Sequence, residues 1–249
     1  MKYILLGSNS DICQEFIKTL NDDDVITTLS RSKPCDIKLD WENNFKLFTD
    51  KDTIKLRDWD VLISFIGSQD PIGPIGQLDP FEIIKGININ FSYQFAAIAN
   101  LIKLRRENSI TKIILFAGAG TNSAPKNYSI YITSKIALIK FTELIHSEYE
   151  DIITTIMGPG WVKTKIHNST LKQKRELAPE SFDETNRRFR ENDFNSMNLV
   201  TRCLKAIVNE KTRAFAGKNI STQYDAWDDA TFLKKLELNN DINKLRRKT

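Results

Sequence analysis

Residues that bind metals or form disulfides are scarce in this chain of 249 residues, which has two histidines and three cysteines. The odd number and wide spacing of Cys13, Cys35 and Cys203 favour reduced thiols and a cytoplasmic protein. Neither histidine lies near a cysteine in the sequence, so we expect no metal site. The opening residues MKYILLGS enter an apolar stretch at once, without the charged start and long apolar run of a secretory leader.

The chain also lacks a strong charge of either sign. It carries 36 basic and 32 acidic residues, a formal net charge of +4. No basic face precedes an aromatic-rich strand pattern, so we expect no binding to nucleic acid. Hydrophobic residues make up 41% and charged residues 27% of the sequence, which is typical of a globular protein and not of a membrane-embedded one. The length suits one large domain over residues 1–249.

Short apolar runs recur along the sequence. They lie at residues 3–6, 25–26, 61–63, 113–116 and 152–156, with a brief candidate at 37–39. Longer segments with helical spacing separate several of these runs. The alternation predicts an α/β fold of βαβ units around a parallel sheet whose strands are buried on both faces.

Helices are predicted between the later runs. Asp79 and Pro80 form an N-cap and a first helical residue for a helix to about residue 105, and Ser129 is expected to cap a helix to about residue 149. Residues 42–56 could form one further helix. Residues 163–198 are polar and charged, and they predict one or two mobile helices that cover a substrate site, or else a solvated surface pair.

A glycine turn follows the first predicted strand, in the stretch LLGSNSDIC at residues 5–13. Such a turn before a helix presents backbone N–H groups and the positive end of the helix dipole to a phosphate. Asp11 and Cys13 stand where further glycines of a dinucleotide motif would be expected, so an ordinary strand-to-helix turn is the alternative.

The second predicted strand ends in Arg31, which is flanked by serines. An acidic residue at this place would bind the ribose hydroxyls of NAD, whereas an arginine beside Ser32 suits the 2′-phosphate of NADP. A lone surface arginine is the alternative. The position therefore favours NADP.

Tyr131 and Lys135 are four residues apart in the helix predicted from residue 129. This spacing places both side chains on one helical face, about 5–6 Å apart. The ammonium is then expected to lower the pKa of the phenol toward the range in which it transfers protons at neutral pH. The same spacing occurs by chance in many helices, so its place after the fourth apolar run gives it weight.

Five motifs occur in one order along the chain: GSNSDIC at 7–13, ISFIG at 63–67, Asn90 within ININFSYQF, YITSK at 131–135 and MGPGWVKT at 157–164. Together they resemble the short-chain dehydrogenase/reductase family over roughly residues 1–165. The stretch ISFIG keeps only the glycine of the family's Asn-Asn-Ala-Gly pattern. The resemblance implies a single-domain Rossmann-type fold, a doubly wound parallel sheet flanked by helices, that binds a nicotinamide dinucleotide. It also implies a homodimer or homotetramer formed through the two long helices.

The resemblance assigns roles to individual residues. Tyr131 would be the general acid or base, Lys135 would hold the nicotinamide ribose, and Asn90 would hold a helix backbone and a relay water. Asp40 is the candidate carboxylate near the adenine, with Asp36 as the competitor. The remaining cofactor contacts would come from the glycine turn, one strand end and the PGWVKT segment: Gly7, Ser8, Asn9, Ser10, Asp11, Ile12, Gly67, Pro159, Gly160, Val162 and Thr164.

One group that the resemblance implies is absent. Family members carry a serine or threonine thirteen or fourteen residues before the tyrosine, and its hydroxyl binds the substrate carbonyl. Those positions are Gly118 and Ala117 here. Losing such a donor typically costs about two to three powers of ten in rate. We therefore expect Thr121, or alternatively Ser123, to replace it, unless backbone N–H groups do the same work.

The leading hypothesis is an NADP-dependent oxidoreductase that interconverts a carbonyl and a hydroxyl on a small molecule. Residues 118–145 and 217–229 resemble short-chain reductases of bacterial surface-sugar synthesis, which points to a sugar phosphate or sugar nucleotide. The alternatives are a catalytically weak NADP-binding regulatory or partner protein, which the absent serine favours, and a sugar epimerase or dehydratase that recycles its cofactor. A tryptophan and nearby basic residues would suit a sugar phosphate: Trp161, Lys163, Lys165, Lys172, Lys174 and Arg175.

Overall fold

Seven parallel strands form one sheet in the computed structural model, which describes residues 1–39 and 48–247. Their order is β3-β2-β1-β4-β5-β6-β7, so the chain winds outward in both directions from the central pair β1 and β4. This confirms the predicted doubly wound α/β fold. Ligands of such sheets bind beyond the carboxyl ends of the strands where the order reverses. The strands are β1 (Lys2–Leu6), β2 (Val25–Ser30), β3 (Ile37–Lys38), β4 (Val61–Ser64), β5 (Thr111–Phe116), β6 (Ile152–Gly158) and β7 (Asn219–Ser221).

Helices lie on both faces of the sheet. All five apolar runs of the sequence are strands, whereas β7 has no counterpart among the predictions because three residues give too short a pattern. Over the described ranges, none of the helices is both long and apolar enough to cross a membrane. The helices are α1 (Asp11–Ile17), α2 (Asp50–Leu56), α3 (Pro80–Ile87), α4 (Tyr93–Ile102), α5 (Ser129–Glu148), α6 (Asn168–Lys172), α7 (Pro179–Glu191), α8 (Met197–Asn209) and α9 (Ala230–Leu238).

The core has two apolar layers, one on each face of the sheet. Alternate residues of β1 enter different layers: Ile4 and Leu6 belong to one, Tyr3 and Leu5 to the other. Buried residues of α4 and α5 belong to the first layer, and buried residues of α1 and α8 to the second. Because both faces are covered, the strands can be continuous apolar runs in the sequence.

The helix predicted from residue 80 to about 105 is interrupted. It begins as predicted, with the Asp79 carboxylate accepting from two backbone N–H groups and Pro80 as its first residue. A π-helical turn at Asn88–Ser92 then separates α3 from α4, which ends at Ile102. A π turn takes up one residue more than an α turn, and such turns are common at functional sites. Asn90 lies within this turn.

Two further helix predictions are only partly right. Ser129 is the first residue of α5 and not its cap; Tyr128 precedes it, without a side-chain cap. Of the helix predicted over 42–56, the structure describes 48–56, where α2 starts behind a capping box formed by Thr49 and Asp52. The Asp52 carboxylate accepts hydrogen bonds from the hydroxyl and the backbone N–H of Thr49, and the Thr49 hydroxyl oxygen accepts from the backbone N–H of Asp52. Backbone N–H groups at the start of the helix are thereby paired.

The charged segment 163–198 folds into α6, α7 and two short 3₁₀ turns at Lys165–His167 and Arg175–Leu177, and it ends in the first residues of α8. Arg187 and Arg188 both bond to Glu184, which lowers the pKa of that carboxyl to about 2. An isolated parallel bridge between Val162 and Asn195 ties the two ends of the segment together. Several charges of the segment therefore pair with each other.

Gly86 lies where α3 passes closest to the loop after β4. A Cβ atom on Gly86 would lie 2.7 Å from Pro71 Cδ and 2.9 Å from both the Asp70 carbonyl oxygen and Ile130 Cγ2. Alanine normally stabilises a helix by about 1 kcal/mol over glycine, but overpacking typically costs about 1–3 kcal/mol. We predict that Gly86→Ala lowers the free energy of unfolding, measured by urea titration.

Gly76→Ala is the control for this change, because a Cβ atom on Gly76 would meet nothing within 4 Å. The control should leave the free energy of unfolding within about 0.5 kcal/mol of wild type. Equal effects of the two substitutions would contradict the close packing of α3 on the loop.

Candidate active site

Two adjoining cavities lie at the carboxyl ends of the central strands. The smaller, the Tyr131 cavity, has a volume of about 180 Å³ and is lined by Tyr131, Lys135 and the segment after β6. The larger, the Arg31 cavity, has a volume of about 630 Å³ and is lined by the glycine turn and the ends of β2 and β3. The two cavities adjoin and share part of their lining, and together they are called the groove; the shared residues are Ser10, Phe65, Ile66, Gly67 and Lys165.

Lys135 is buried in α5 with 2% of its surface exposed. Its Nζ donates to the carbonyl of Ile66 at 3.2 Å and to the carbonyl of Phe116 at 3.1 Å, beyond the end of β4 and at the end of β5. Removal from water disfavours the charged form, and burial lowers the pKa of the Lys135 ammonium to about 8. The ammonium thus joins two neighbouring strand ends at the floor of the cavity.

Tyr131 lines the same cavity, one helical turn before Lys135. The sequence predicted a phenol whose pKa is lowered by the lysine, and this is wrong for the structure described here: burial raises the pKa of Tyr131 to about 12. Lys135 Nζ lies 5.8 Å from the centroid of the ring, and its hydrogen bonds go to the two carbonyls. Desolvation of the phenolate therefore outweighs the attraction of the ammonium.

Asn90 is fully buried in the π turn, and its amide is taken up by backbone groups. Oδ1 accepts from Ser68 N–H at 2.9 Å, while Nδ2 donates to the Ser68 carbonyl at 2.8 Å and to the Gly86 carbonyl at 3.0 Å. Gln94, also fully buried, donates to the Asn90 carbonyl at 2.8 Å and accepts from the hydroxyl of Ser64. The resemblance implied that Asn90 holds a helix backbone, as its bond to the Gly86 carbonyl does, whereas the bonds to Ser68 and Gln94 were not predicted. The network fixes the loop after β4.

The position of the absent hydroxyl is filled by the tyrosine ring. A Cβ atom on Gly118 would lie 2.8–2.9 Å from Cε1, Cζ and Oη of Tyr131, so no side chain fits there. Thr121, the predicted replacement, donates its hydroxyl to the Gly118 carbonyl at 3.3 Å. Among the described residues that line the Tyr131 cavity, Thr121 and Ser123 do not occur, whereas Ala117 does. The structure does not bring either hydroxyl to Tyr131.

The glycine turn requires a glycine at its first position. Gly7 has a φ of +73°, and a Cβ atom there would lie 2.9 Å from Ile66 Cγ1. Its neighbours close the turn: Asn9 donates to the Ser32 carbonyl at 2.6 Å, and Ser10 caps α1. Of the six predicted contacts of this turn, five line one cavity or the other, and Ser8 is buried beneath them.

Asp11 occupies a position where a dinucleotide motif would have a glycine. Its carboxylate accepts from the backbone N–H of Lys165 at 2.7 Å and lies 3.5 Å from the Lys165 ammonium. The ammonium also donates to the carbonyl of Asn9. Lys165 therefore lies across the glycine turn and lines both cavities. The Lys165 ammonium thereby offsets the charge of the Asp11 carboxylate.

Arg31 and Ser32 line the Arg31 cavity as predicted, together with Ser30 and Lys38. Lys38 was missed at this site. Strand alternation could have indicated it, since its neighbours in the sequence, Ile37 and Leu39, are both buried and side chains alternate between faces. Asp36 accepts from the N–H and the hydroxyl of Thr28, so its carboxylate is engaged at β2. Asp40 lies outside the described residues.

The PGWVKT segment lines the Tyr131 cavity with all four predicted residues, Pro159, Gly160, Val162 and Thr164. Buried His167, which the sequence had not marked for this site, lines it too; one ring nitrogen, Nε2, lies 3.0 Å from the Val162 carbonyl, and its ring stacks on Trp161 at 4.9 Å. Burial lowers the pKa of His167, which keeps the ring neutral. Of the basic residues noted in 163–175, Lys165 is the one among the described cavity-lining residues.

Comparisons with known proteins agree with this arrangement. The profile of the family "short chain dehydrogenase" matches residues 1–175. A "Short chain dehydrogenase pigC" from Monascus ruber is 27% identical over 109 residues, which cover 43% of this chain and 36% of that relative's length. A short-chain dehydrogenase/reductase from Saccharomyces cerevisiae has the same fold, with a TM-score of 0.75, 14% identity and coverage of 93% of this chain and 97% of that one.

Two further solved structures are named with their cofactors. A small-chain dehydrogenase in complex with NADPH has a TM-score of 0.68 and 16% identity, and the match covers 89% of this chain and 95% of that one. A 4-hydroxyisoleucine dehydrogenase complexed with NADH has a TM-score of 0.67 and 23% identity, and the match covers 89% and 96%. At these identities the structures show a common fold, and the profile match over residues 1–175 shows that the chain belongs to the short-chain dehydrogenase family.

Proposed function

We propose that the protein is an NADP-dependent oxidoreductase that interconverts a carbonyl and a hydroxyl on a small substrate. Members of its family use nicotinamide cofactors and act on small molecules. The observation that carries the proposal is that the two cavities adjoin: Tyr131 and Lys135 line one, and the cations Arg31 and Lys38 line the other. One bound dinucleotide would reach from the pair of cations to the tyrosine.

The residues of the groove fit such a cofactor. The glycine turn lines the groove, and it needs Gly7 because a Cβ atom there would lie 2.9 Å from Ile66 Cγ1. Two cations and the hydroxyls of Ser30 and Ser32 are the donors that a ribose 2′-phosphate needs, and no acid lines that cavity among the residues described. Neutral or acidic lining would favour a free 2′-hydroxyl instead.

The bound nicotinamide would supply or accept the hydride. Tyr131 would donate a proton from Oη to the substrate oxygen during reduction and take it back during oxidation. Lys135 would hold one end of the cofactor with the donor capacity that its two carbonyl partners leave free. The buried phenol is protonated at neutral pH, which is the form that donates a proton in reduction.

The lining of the Tyr131 cavity bears on the class of substrate. A sugar phosphate or sugar nucleotide is supported by Lys165 and Trp161, which line the Tyr131 cavity. The cavity also has apolar walls from Phe65, Phe116 and Ile166, against which a sugar ring or another apolar carbonyl compound can pack. Activity should therefore be assayed on keto-sugars, with their phosphate and nucleotide forms, and on apolar ketones; these compounds are called the panel.

A second candidate function is that of a cofactor-binding protein with little catalysis. The observation that favours it is Gly118, where the tyrosine ring fills the space of the family's hydroxyl. A cofactor-recycling epimerase or dehydratase would share every cofactor contact named above. It differs in that a full turnover would leave the amount of NADPH unchanged.

We also propose that the protein forms a homodimer or homotetramer and lies in the cytoplasm. Phe95 and Leu144, on α4 and α5, are 44% and 50% exposed, and Phe95 packs on Phe141 with 4.5 Å between ring centroids. Such apolar faces on the two helices support a homodimer or homotetramer. The three cysteines are unpaired, which supports a cytoplasmic location.

Tyr131→Phe tests the proton transfer. We expect it to lower the rate of NADPH oxidation by about 10²–10⁴ on any panel carbonyl that wild type reduces. NADPH affinity, followed by nucleotide fluorescence, should change less than about twofold, because no cofactor phosphate is proposed to touch the phenol. Tyr149→Phe, at the far end of α5, is the matched control. Unchanged turnover in Tyr131→Phe would refute the mechanism.

Arg31→Ala and Lys38→Ala test the choice of cofactor. Each should weaken NADPH binding by about tenfold to a hundredfold, the usual value of a charge-assisted hydrogen bond. NADH binding should barely change, because NADH has no 2′-phosphate. Lys33→Ala removes an exposed cation of the same loop that does not line the cavity, and it should have no effect. Equal losses for both nucleotides would exclude a contact to the 2′-phosphate.

Asp11 and Lys165 should be coupled in cofactor binding. Lys165→Met leaves the Asp11 carboxylate unneutralised beside the pyrophosphate, and we expect about tenfold weaker NADPH binding. The double variant Asp11→Asn/Lys165→Met should lose less than about threefold, because the repulsion is gone as well. Lys163→Met is the control, since its ammonium lies over the Phe189 ring, 5.7 Å from the centroid. Additive losses would show that the two residues act independently.

A further inference from the structure

Gln69 faces the Tyr131 cavity from the loop after β4. Apart from the lysines and the glycine turn, three side chains of this cavity carry an N–H or O–H group without a protein acceptor in the described part of the chain. They are Gln69, Tyr131 and Trp161. Tyr131 is the proposed proton donor, so Gln69 and Trp161 are the two candidates within this set for a second side-chain donor to the substrate oxygen.

Two buried hydroxyls orient the Gln69 amide. Thr170 is 2% exposed and donates from Oγ1 to Gln69 Oε1 at 3.0 Å. Tyr128 is 6% exposed, and its Oη lies 2.6 Å from the same Thr170 oxygen. Because Thr170 has one proton and gives it to Gln69, the proton between the two hydroxyls comes from Tyr128. The carbonyl end of the amide is thus held, and the two N–H groups of Nε2 remain for a ligand.

The backbone on both sides of Gln69 is also held. Asn90 binds both the N–H and the carbonyl of Ser68. On the other side, the Ser169 hydroxyl donates to Asp70 Oδ2 at 2.9 Å. The loop therefore has contacts to the π turn and to α6 at consecutive residues, and the Gln69 side chain starts from a fixed backbone. A donor preorganised in this way stabilises a developing negative charge without the cost of reorientation.

We propose that Gln69 replaces the absent hydroxyl of the family: its Nε2 amide donates a hydrogen bond to the substrate carbonyl oxygen. The inference rests on the proposed function and adds to it the residue that holds the substrate. In reduction the carbonyl π bond breaks, hydride forms the new C–H bond, and the oxygen takes its proton from Tyr131. Gln69 exchanges no proton; it stabilises the charge on that oxygen while the transfer takes place. Thr170 and Tyr128 are positioning residues for the amide.

Steady-state kinetics of Gln69→Leu give the first test. We expect kcat to fall about a hundredfold, the typical loss for one oxyanion donor, with NADPH affinity within about twofold of wild type. Gln69→Glu should be at least as impaired, because a carboxylate repels the developing charge. Trp161→Phe removes the other uncommitted N–H and should lower kcat less than Gln69→Leu does, because the ring that lines the cavity is kept. A larger loss in Trp161→Phe than in Gln69→Leu would overturn the assignment.

The positioning residues have a distinct signature. Thr170→Val frees the carbonyl end of the amide, and we expect kcat to fall about tenfold with Gln69 present. In the Gln69→Leu background the same change should have no further effect on kcat, because there is no amide left to orient. A purely structural role of Thr170 would instead lower kcat equally in both backgrounds, and that result would overturn the positioning role.

Ligand binding without turnover separates this inference from the proposed function. Cyclohexanone has no hydroxyl to oxidise and cannot be reduced by the protein loaded with NADP⁺, so calorimetry measures its affinity alone. For a ¹³C-carbonyl cyclohexanone, infrared difference spectra report the hydrogen bond as a lowered carbonyl stretch. We expect that shift in wild type and in Trp161→Phe, and its reduction in Gln69→Leu together with about fivefold weaker binding.

The outcomes are separable. Ketone binding with the infrared shift, but no NADPH oxidation on any panel carbonyl, would refute the proposed function and leave Gln69 as the carbonyl-binding residue. If Gln69→Leu leaves turnover unchanged, the role of Gln69 as donor to the substrate oxygen is refuted, and the proposed oxidoreductase function stands. If wild type neither binds nor reduces any of these ketones, both proposals are wrong.

Discussion

The rest of the site depends on the buried ammonium of Lys135. Its hydrogen bonds to the carbonyls of Ile66 and Phe116 hold together the ends of two neighbouring strands from below. Burial in this place lowers the pKa of the ammonium to about 8, because removing the charge from water costs free energy that the two carbonyls only partly offset. Because α5 carries Tyr131 one turn earlier, the same two bonds also fix the depth of the phenol in the cavity.

The packing of Tyr131 and the loss of the family's hydroxyl are one structural feature. The ring lies against Gly118 at distances that leave no space for a Cβ atom. A larger residue at this position would therefore require the ring to move away from Gly118. The absence of the hydroxyl is thus not by itself evidence that catalytic function has been lost. It changes which element can reach the substrate oxygen, from the end of β5 to the loop after β4.

Much of the fold and part of the site could be predicted from the sequence. Apolar periodicity gives the strands of a buried parallel sheet, and Gly7, Tyr131 and Lys135 could be chosen as candidates because their spacing has a direct geometric meaning. The predicted pKa of Tyr131 was wrong, because spacing reports which groups are near and not how much water surrounds them. Gln69 was missed, since it lies in a loop without periodicity and its orientation comes from Thr170, which is 101 residues away in sequence. The π turn was missed for a related reason: Asn90 bonds to Ser68 across the fold, and local propensity contains no such contact.

The π turn at Asn88–Ser92 also limits how this protein can change. A π turn takes up one residue more than an α turn, so deleting one residue there would restore a regular helix and leave α4 in nearly the same orientation. Buried positions such as Gln94, Ala97 and Leu101 would stay in the core, but the wide turn that carries Asn90 would be lost. Surface loops tolerate deletions at little cost as well. A one-residue gap between Asp79 and Ile102 in an aligned relative would therefore mark a protein that keeps the packing of α4 and holds the loop after β4 in another way.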